Sequence, residues 1–435
     1  MFQPARGTRD IPPEEMRKRN WVLDRIRRIF ERYGFEPLGT PAFESWEMLK
    51  MKSGEDVINQ IYYFKDKSDR ELGLRFEWTS SLCRFVASHR ELSMPFKRYA
   101  IGPVWRYEAP SEKRYREFWQ ADIDTVGVAD QVADAEVLSA AVDCLESIGF
   151  KGFVIRLSDR RILDSLLKLV NLPHEKSLEL FRAIDKLSKI GEGGVKEELK
   201  KLGVSSESSK RLLELIAVRG EPESTLKYLK PVLKDSEIGA RGFSSVKSIY
   251  EYSSSFGFEQ YLNIDLSLAR GLDYYTGPVY EILVEGFENY GSIAGGGRYD
   301  DLIGVYGGRQ SPATGISLGV DRIFSLLDER GVFKDFRLGS RIQVVFTSKK
   351  MLNAAIKVIQ KLRRSGIASE LDLMGRSLTR QLESADKKGV EKVVIIGERE
   401  LKEGKIILRD MKTETQEILP LEDLVISLSK YAERD

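Results

Sequence analysis

Residues 97–128 read KRYAIGPVWRYEAPSEKRYREFWQADIDTVGV, which is two extended runs on either side of a polar segment. Residues 97–106 and 118–128 are rich in aromatic and β-branched side chains, whereas residues 108–117 are almost wholly polar. This pattern predicts two antiparallel strands joined by a long charged loop.

The second run places polar side chains at alternate positions. Gln120, Asp122 and Asp124 would therefore share one face of a strand, and that face suits an ammonium group or a ring bearing an N–H. Arg106 ends the first run, where a guanidinium can grip a phosphate oxygen. The alternative is a solvated hairpin with surface ion pairs. The loop also carries cations suited to phosphate or an RNA backbone: Lys113, Arg114 and Arg116.

Helical and extended patterns flank this hairpin. Apolar residues at three- and four-residue spacing predict helices over 14–33 and 80–90. Short strands are predicted at 35–41, 62–66, 72–75, 261–266 and 279–284, and a strand at 315–319 leads into a helix over 320–327.

Two further regions differ from the rest in composition and in predicted secondary structure. Residues 158–236 are rich in Leu, Lys, Glu and Ser with helical periodicity, which predicts a separate helical insertion. After residue 340, strands and helices alternate, which predicts a small α/β domain with a mostly parallel sheet. Strands are expected at 342–346, 368–371 and 392–396, and helices at 351–363, 377–387 and 421–431.

Composition limits the available chemistry. The 435 residues include 69 basic and 67 acidic side chains, so any surface for nucleic acid must be local. Cys83 and Cys144 cannot form a disulfide framework and are expected to be buried thiols. His89 and His174 have no companion ligands, so a metal would be Mg²⁺ arriving with a nucleotide. With no signal peptide and no apolar span of ~20 residues, we expect a soluble cytoplasmic protein without a membrane segment.

Residues 270–277 read RGLDYYTG and bring Arg270, an acid, Tyr274 and Tyr275 close together. Residues 294–300 read AGGGRYD. The glycines predict either a tight turn or a stretch of backbone against which a flat ligand can lie. Tyr299 would either close a pocket or only pack against its neighbours. This run is not a Walker loop, because no Gly-Lys-Ser/Thr follows it, and it lacks the Gly-x-Gly-x-x-Gly spacing of a dinucleotide-binding fingerprint.

Two other positions are candidates for ligand contact. Arg322 lies in the first turn of the predicted helix over 320–327, where it would add to the attraction of the helix N-terminus for polyphosphate; a plain surface arginine is the alternative. Glu77 and Thr79 alternate on one face, and a buried Glu77 would need a substrate ammonium or a nearby arginine as its partner.

Taken in this order, the motifs resemble class II aminoacyl-tRNA synthetases, and within them the histidyl-tRNA synthetase family. The opening residues 6–10, RGTRD, resemble the start of that family, and the stretch ending at Pro41 resembles its dimer-forming motif 1. The hairpin resembles motif 2, residues 315–322 resemble motif 3, and residues 270–277 and 294–300 resemble the two histidine-specific signatures. Residues 373–376 and 385–389 fit the anticodon-binding domain of the family.

This resemblance implies roles for particular residues. Arg106 and Arg270 would be catalytic at the α-phosphate, with Glu108 near the adenine and Arg322 at the γ-phosphate. The residues implied to bind ATP are Arg106, Glu108, Arg114 and Arg322. The residues implied to bind histidine are Glu77, Thr79, Gln120, Asp124, Tyr274, Tyr275 and Tyr299, with Asp124 and Tyr275 bracketing the imidazole.

The resemblance also implies an architecture and partners. The expected fold is an α+β catalytic domain on an antiparallel sheet flanked by helices, with a helical insertion and a C-terminal α/β domain. The domains would be 1–157 with 237–330 (catalytic), 158–236 (insertion), 331–340 (linker) and 341–435 (anticodon binding). The expected partners are ATP with Mg²⁺, L-histidine, tRNA(His) and a second copy of the chain in a homodimer.

Three alternatives stand beside this interpretation. A non-catalytic, synthetase-like subunit that serves ATP phosphoribosyltransferase is expected to lack the intact 270–277 run and the anticodon-type domain. A synthetase for proline, threonine or glycine would share motifs 2 and 3 but not the tyrosine-bearing run. The third is a generic ATP-dependent ligase. For residues 341–435, whose net charge is only +4, a plain dimerisation domain is the alternative to tRNA binding.

Overall fold

The computed structural model describes residues 2–51, 54–110, 114–170, 172–269, 274–334 and 342–431. The chain forms two compact units, Met1–Phe333 and Lys334–Asp435. No helix among these described residues is both long enough and apolar enough to cross a membrane.

The strands are, in chain order, β1 (Glu36–Pro37), β2 (Phe43–Ser45), β3 (Tyr63–Lys65), β4 (Glu71–Leu74), β5 (Phe96–Trp105), β6 (Glu117–Val126), β7 (Phe153–Asp159), β8 (Arg219–Gly220), β9 (Leu262–Asp265), β10 (Pro278–Val284), β11 (Ala294–Arg298), β12 (Ala313–Gly319), β13 (Ile342–Phe346), β14 (Ser369–Leu371), β15 (Lys392–Ile396), β16 (Lys405–Asp410) and β17 (Gln416–Pro420). The helices are α1 (Pro13–Arg32), α2 (Trp46–Lys50), α3 (Glu55–Ile58), α4 (Thr79–Ser88), α5 (Val132–Ser147), α6 (Arg160–Leu166), α7 (Ser177–Asp185), α8 (Leu187–Lys201), α9 (Ser206–Ile216), α10 (Pro222–Leu233), α11 (Glu237–Phe256), α12 (Leu302–Val305), α13 (Val320–Glu329), α14 (Leu352–Arg364), α15 (Leu378–Lys387), α16 (Glu398–Lys402) and α17 (Leu424–Ser427).

The first unit is built on a nine-stranded sheet in the order β1-β5-β6-β12-β11-β10-β7-β9-β8. Only the outer pairs β1–β5 and β7–β9 run parallel, so the predicted α+β class with a largely antiparallel sheet is confirmed. Helices cover the sheet because their apolar stripes need burial: α1 buries Val22, Ile26, Ile29 and Phe30, which recur at helical spacing. The long β5–β6 pair is the predicted hairpin, and it keeps the polar face of β6 in the middle of the sheet.

The glycine run at residues 294–298 is a strand, β11, so the predicted glycine-rich turn is wrong. Its glycines are needed because neighbours crowd this strand on both sides. A Cβ on Gly296 would lie 2.7 Å from the ring of Tyr280 and would collide with the carbonyl oxygen of Gly315. A Cβ on Gly297 would lie 2.9 Å from the ring of Tyr275. The absence of side chains therefore lets two tyrosine rings lie against the sheet.

The region from α6 to α10 is mostly helical and packs on the sheet. Ser158 and Asp159, however, lie in β7 and are buried in the central sheet. Leu163, Phe181 and Leu212 belong to a buried cluster that also includes Val279 of β10. The region therefore shares a core with the sheet, within the same compact unit.

The second unit has a five-stranded sheet in the order β14-β13-β15-β16-β17. Only β14, β13 and β15 are parallel to one another, because β16 and β17 form an antiparallel hairpin that the sequence interpretation missed. The predicted closing helix over 421–431 is also wrong. Leu424 and Leu428 are buried but Ile426 is exposed, so the segment supports only the short α17 followed by a 3₁₀ turn.

Candidate active site

Two adjoining cavities open on the polar face of β6. The first has a volume of about 250 Å³ and the second about 260 Å³. Arg106, Gln120, Gly295 and Ser317 line both. The first cavity is otherwise lined by Glu108, Arg114, Tyr115, Phe118, Trp119, Ser292, Ile293, Ala294, Gly319, Asp321 and Arg322. The second is otherwise lined by Val57, Gln60, Phe76, Glu77, Thr79, Asp122, Asp124, Tyr274, Tyr275, Gly296, Tyr299, Gly315 and Ile316.

Arg106 stands at the boundary between the two cavities, directly after β5. Its Nε donates a hydrogen bond to the carbonyl oxygen of Phe76 at 3.0 Å, and its guanidinium lies 5.2 Å from the ring centre of Phe118. These contacts fix the cation at the end of the strand.

Three other predicted residues reach the first cavity. Arg322, in the first turn of α13, donates a hydrogen bond from Nη1 to the carbonyl oxygen of Ser292 at 2.6 Å. Glu108 and Arg114 form an ion pair across the hairpin loop. The cavity therefore has arginines at both ends, one on the hairpin and one on the helix.

Arg116, which the sequence suggested for a phosphate contact, already has partners within the chain. Its backbone N–H donates to the carbonyl oxygen of Gly7 at 2.8 Å, and its guanidinium stands 4.1 Å from the ring centre of Tyr107. Nε donates to the carbonyl oxygen of Glu108 at 3.1 Å. The arginine thus ties the N-terminal RGTRD segment to the hairpin loop. Lys113 lies outside the described residues.

Asp321 was missed by the sequence analysis although it joins three elements at the first cavity. One carboxylate oxygen accepts a hydrogen bond from Trp119 N of β6 at 2.6 Å, and the other accepts one from Arg19 of α1. Arg19 is only 2% exposed and also pairs with Glu15 at 3.4 Å. These partners are some 200 and 300 residues away in sequence, so no local pattern identifies them.

Asp321→Ala should lower the free energy of unfolding by about 2–3 kcal/mol, because it leaves a buried arginine short of its main partner. Urea unfolding followed by circular dichroism measures this change. Asp328→Ala, at an exposed position of the same helix, is the matched control and should change stability by less than about 0.5 kcal/mol. Equal stabilities for the two variants would contradict the proposed coupling of α1, β6 and α13.

The second cavity receives Gln120, Asp122 and Asp124 from one face of β6, as the alternation predicts. The facing residues on β12 are Gly319, Ser317 and Gly315, so that strand places no bulky side chain over the carboxylates.

Asp124 is 3% exposed and has two partners. It forms an ion pair with Arg98 of β5, whose Nη2 lies 2.7 Å from Oδ2, and it accepts a hydrogen bond from the hydroxyl of Tyr299. Burial raises the pKa of Asp124, while Arg98 and the Tyr299 hydroxyl oppose the shift. Arg98 was missed, yet a signal existed: it faces Asp124 directly across the hairpin. Tyr299 thus holds the carboxylate of Asp124 in place at the cavity.

Glu77 has neither of its expected kinds of partner among the described residues. Its carboxylate accepts hydrogen bonds from the backbone N–H groups of Thr79 and, at 2.8 Å, Ser80. Thr79 is the first residue of α4 rather than part of a strand, so the predicted strand alternation is wrong. Both residues still line the second cavity, with the carboxylate held at a helix N-terminus.

Tyr274 and Tyr275 form an aromatic wall of the second cavity. Their ring centres are 4.5 Å apart, and the two hydroxyls are 3.4 Å apart. Burial raises the pKa of both phenols, so both remain protonated at neutral pH. The predicted catalytic Arg270 lies outside the described residues.

Metal ligands are not clustered at the site. Across the described parts of the chain, no group of three or more His, Cys, Asp or Glu side chains is arranged to hold a metal ion. Both carboxylates of the first cavity, Glu108 and Asp321, are engaged by arginines. A divalent cation in the first cavity would therefore draw its ligands mainly from a bound phosphate chain.

Comparison with known proteins assigns the family. Residues 7–323 match the family model described as histidyl-tRNA synthetase, and residues 341–431 match the anticodon binding domain. The histidine–tRNA ligase of Pyrococcus furiosus is 37% identical over 426 residues, which is 98% of each chain. That of Korarchaeum cryptofilum is 40% identical over 436 residues, 99% of each chain. The crystal structure of histidyl-tRNA synthetase from Nostoc sp. PCC 7120 has a TM-score of 0.86 at 32% identity and covers 99% of both chains. The chain belongs to the histidyl-tRNA synthetase family.

Proposed function

We propose that this protein is a histidine–tRNA ligase. It condenses L-histidine with ATP to give histidyl-adenylate and pyrophosphate, and then transfers the histidyl group to the 3′ end of tRNA(His). The observation that carries this proposal is the pair of adjoining cavities, one lined by arginines and one by carboxylates, with Arg106 and Gln120 lining both. This arrangement lets the carboxylate of an amino acid meet the α-phosphate of a nucleotide.

The first cavity takes ATP. Arg106 binds the α-phosphate, where charge develops as the amino-acid carboxylate attacks, and Arg322 binds the γ-phosphate at the N-terminus of α13. Glu108 lies near the adenine amino group. Arg114, which forms an ion pair with Glu108, is the fourth residue proposed to bind ATP. Mg²⁺ enters with ATP and, when bound, neutralises charge on the pyrophosphate leaving group.

The second cavity takes histidine. Glu77, Thr79 and Gln120 receive the α-amino group, and the buried Oε1 of Gln120 has no hydrogen-bond partner among the described residues. Asp124 and Tyr275 bracket the imidazole, with Tyr274 beside them and Tyr299 holding Asp124. Such a slot discriminates strongly, because a substrate lacking the ring nitrogens leaves buried polar groups unpaired.

The chemistry needs positioning and charge more than a nucleophilic side chain. The substrate carboxylate attacks the α-phosphorus, and pyrophosphate leaves. Arg270 is proposed to stabilise the charge on the attacking side. In the second step the terminal ribose hydroxyl of the tRNA attacks the adenylate carbonyl, and a phosphate oxygen of the adenylate takes the proton.

The domain roles follow the same proposal. Residues 1–157 and 237–330 carry catalysis, residues 158–236 form an insertion, and residues 331–340 link to an anticodon-binding domain at 341–435. The family match over 341–431 supports tRNA binding there. We place the protein in the cytoplasm, where tRNA is charged.

We also propose a homodimer that uses the motif 1 stretch ending at Pro41 and, directly after it, the small sheet formed by β2, β4 and β3. Phe43, Tyr63 and Phe64 are 53%, 44% and 37% exposed, and the rings of Phe43 and Phe64 lie 6.3 Å apart. Paired exposed aromatics of this kind are typical of protein interfaces.

A variant with both Phe43→Glu and Phe64→Glu should sediment as a monomer at micromolar concentration, because it would bury two charges at the interface. Sedimentation velocity measures the result. Tyr228→Glu, at a 47% exposed position on α10, is the control and should leave the dimer intact. A dimer that survives both substitutions would place the interface elsewhere.

The function is tested by ATP–pyrophosphate exchange run with each of the twenty amino acids. Histidine should support exchange, and the others should give rates near background. Exchange with proline, threonine or glycine would reassign the specificity. No exchange with any amino acid would favour the subunit that serves ATP phosphoribosyltransferase, although the match to an anticodon binding domain argues against it.

A further inference from the structure

Asp122 is a buried carboxylate that none of the roles above uses. It lies on β6 between Gln120 and Asp124, lines the second cavity, and is 4% exposed. Its Oδ1 is buried without a hydrogen-bond partner of good geometry among the described residues. Oγ of Ser317, which faces Asp122 on β12, is also buried without a well-aligned partner, although its hydroxyl lies close enough to the carboxylate to lower the pKa of Asp122. A buried acceptor without a partner is costly, so its position in the cavity points to a ligand.

The neighbours of Asp122 do not compensate the cost of burying its charged form. Burial raises the pKa of Asp122 to about 8, against the opposing effects of Arg98 and of the Ser317 hydroxyl. The charged groups around the cavity are Glu77 before α4, Arg98 on β5, Arg106 after β5, and Asp124 on β6. The other titratable groups there are the phenols of Tyr274, Tyr275 and Tyr299.

The charges in the slot can be counted against those of the substrate. Arg98 is matched by Asp124, with which it forms an ion pair, and Arg106 is matched by the nucleotide phosphate. Glu77 and Asp122 remain, which is two negative charges among the described residues. The α-carboxylate of histidine faces the α-phosphate, where Arg270 is proposed to act, so it is counted with the nucleotide. The α-ammonium of histidine offsets one of the two charges. The second charge is removed only if one proton resides on Asp122 or on the imidazole.

We propose that Asp122 is a positioning residue for the substrate ring, and that it shares one proton with the imidazole nitrogen whose hydrogen is not donated to Asp124. In the free protein the proton resides on Asp122. When a neutral imidazole binds, the carboxyl group donates to the ring nitrogen or passes its proton to it, so that no proton is gained or lost. This inference rests on the proposed function and adds a criterion of selectivity: the slot prefers a ring that is basic.

Asp122→Asn tests the proposal because it keeps the shape and removes the titration. At pH 7 we expect at least a tenfold fall in kcat/KM for histidine in pyrophosphate exchange, and less than a twofold change in KM for ATP. In the wild type, kcat/KM should fall as the pH rises above about 8, because the shared proton is lost. In the variant this alkaline fall should be absent. Asp328→Asn, an exposed position with the same charge change, should match the wild type.

Two measurements separate this role from a structural one. The melting temperature of the free variant at pH 9 should equal or exceed that of the wild type, because a buried ionised carboxylate has been removed. The second uses the histidine analogue that carries a 1,2,4-triazole, whose ring is too weakly basic to be protonated at neutral pH. The variant should lose the preference of the wild type for histidine over this analogue.

Each contrary result has a distinct meaning. An unchanged kcat/KM for histidine, or an equal loss with histidine and the triazole analogue, overturns the shared proton. A lower melting temperature with parallel losses for ATP and histidine overturns the positioning role. A wild-type protein that fails to exchange with histidine overturns the proposed function as well, whereas an active wild type with an unaffected variant overturns this inference alone.

Discussion

Arg106→Ala should lower histidine-dependent pyrophosphate exchange by about 10²–10³-fold, chiefly through kcat. The guanidinium stands at the boundary of the two cavities, held by the carbonyl oxygen of Phe76 and the ring of Phe118. A cation held there before ATP binds needs no reorganisation as negative charge develops on the α-phosphate. Its loss should therefore raise the barrier more than it weakens substrate binding.

Arg106→Lys distinguishes charge from geometry. Lysine keeps the positive charge but cannot donate two parallel hydrogen bonds, so most of the loss should remain. Arg309→Ala, which removes an exposed arginine in a loop, is the control and should retain normal exchange. If the Arg106→Ala enzyme loses affinity for ATP with its kcat unchanged, the arginine only binds the nucleotide.

The hairpin shows how much of this fold is encoded locally. Two runs of strand-forming residues around a polar loop predicted β5 and β6, and alternation along β6 placed Gln120, Asp122 and Asp124 on one face. Both the strand-forming runs and the alternation depend only on the order of side chains within about a dozen residues. Packing into the sheet does not alter which residues form the strands or which face they share. The same holds for α1, whose apolar spacing is read directly from the chain.

The partners of those residues could not be predicted in the same way. Tyr299 reaches Asp124 across 175 positions, and Asp321 reaches Arg19 across 302. The first contact forms only when β6, β12 and β11 lie side by side, and the second only when α1 packs against α13. The glycine run was misjudged for a related reason. Glycines in sequence suggest a turn, whereas here the neighbouring strand and two tyrosine rings exclude any larger side chain. The position of Glu77 likewise depended on where α4 begins.

Glycine packing should also affect substrate selection under the proposed role of Asp124, because Gly315 faces Asp124 across the β6–β12 pair. A Cβ added at Gly315 would lie 2.5 Å from Cγ of Asp124 and 2.7 Å from the carbonyl oxygen of Ile123. The Asp124 carboxylate would therefore have to leave the position in which Arg98 and Tyr299 hold it.

Gly315→Ala should then lower kcat/KM for histidine by about 10²-fold or more, since the group proposed to accept the ring N–H is displaced. Overpacking of the strand pair should also lower the free energy of unfolding by about 1–3 kcal/mol. Exchange kinetics and urea unfolding, measured on the same preparation, separate the two effects. Gly304→Ala adds the same methyl group where the nearest atoms are 3.9 Å away, and it should affect neither quantity strongly. Normal kinetics for histidine in the Gly315→Ala enzyme would mean that Asp124 can move without consequence, and would remove it from the proposed binding slot.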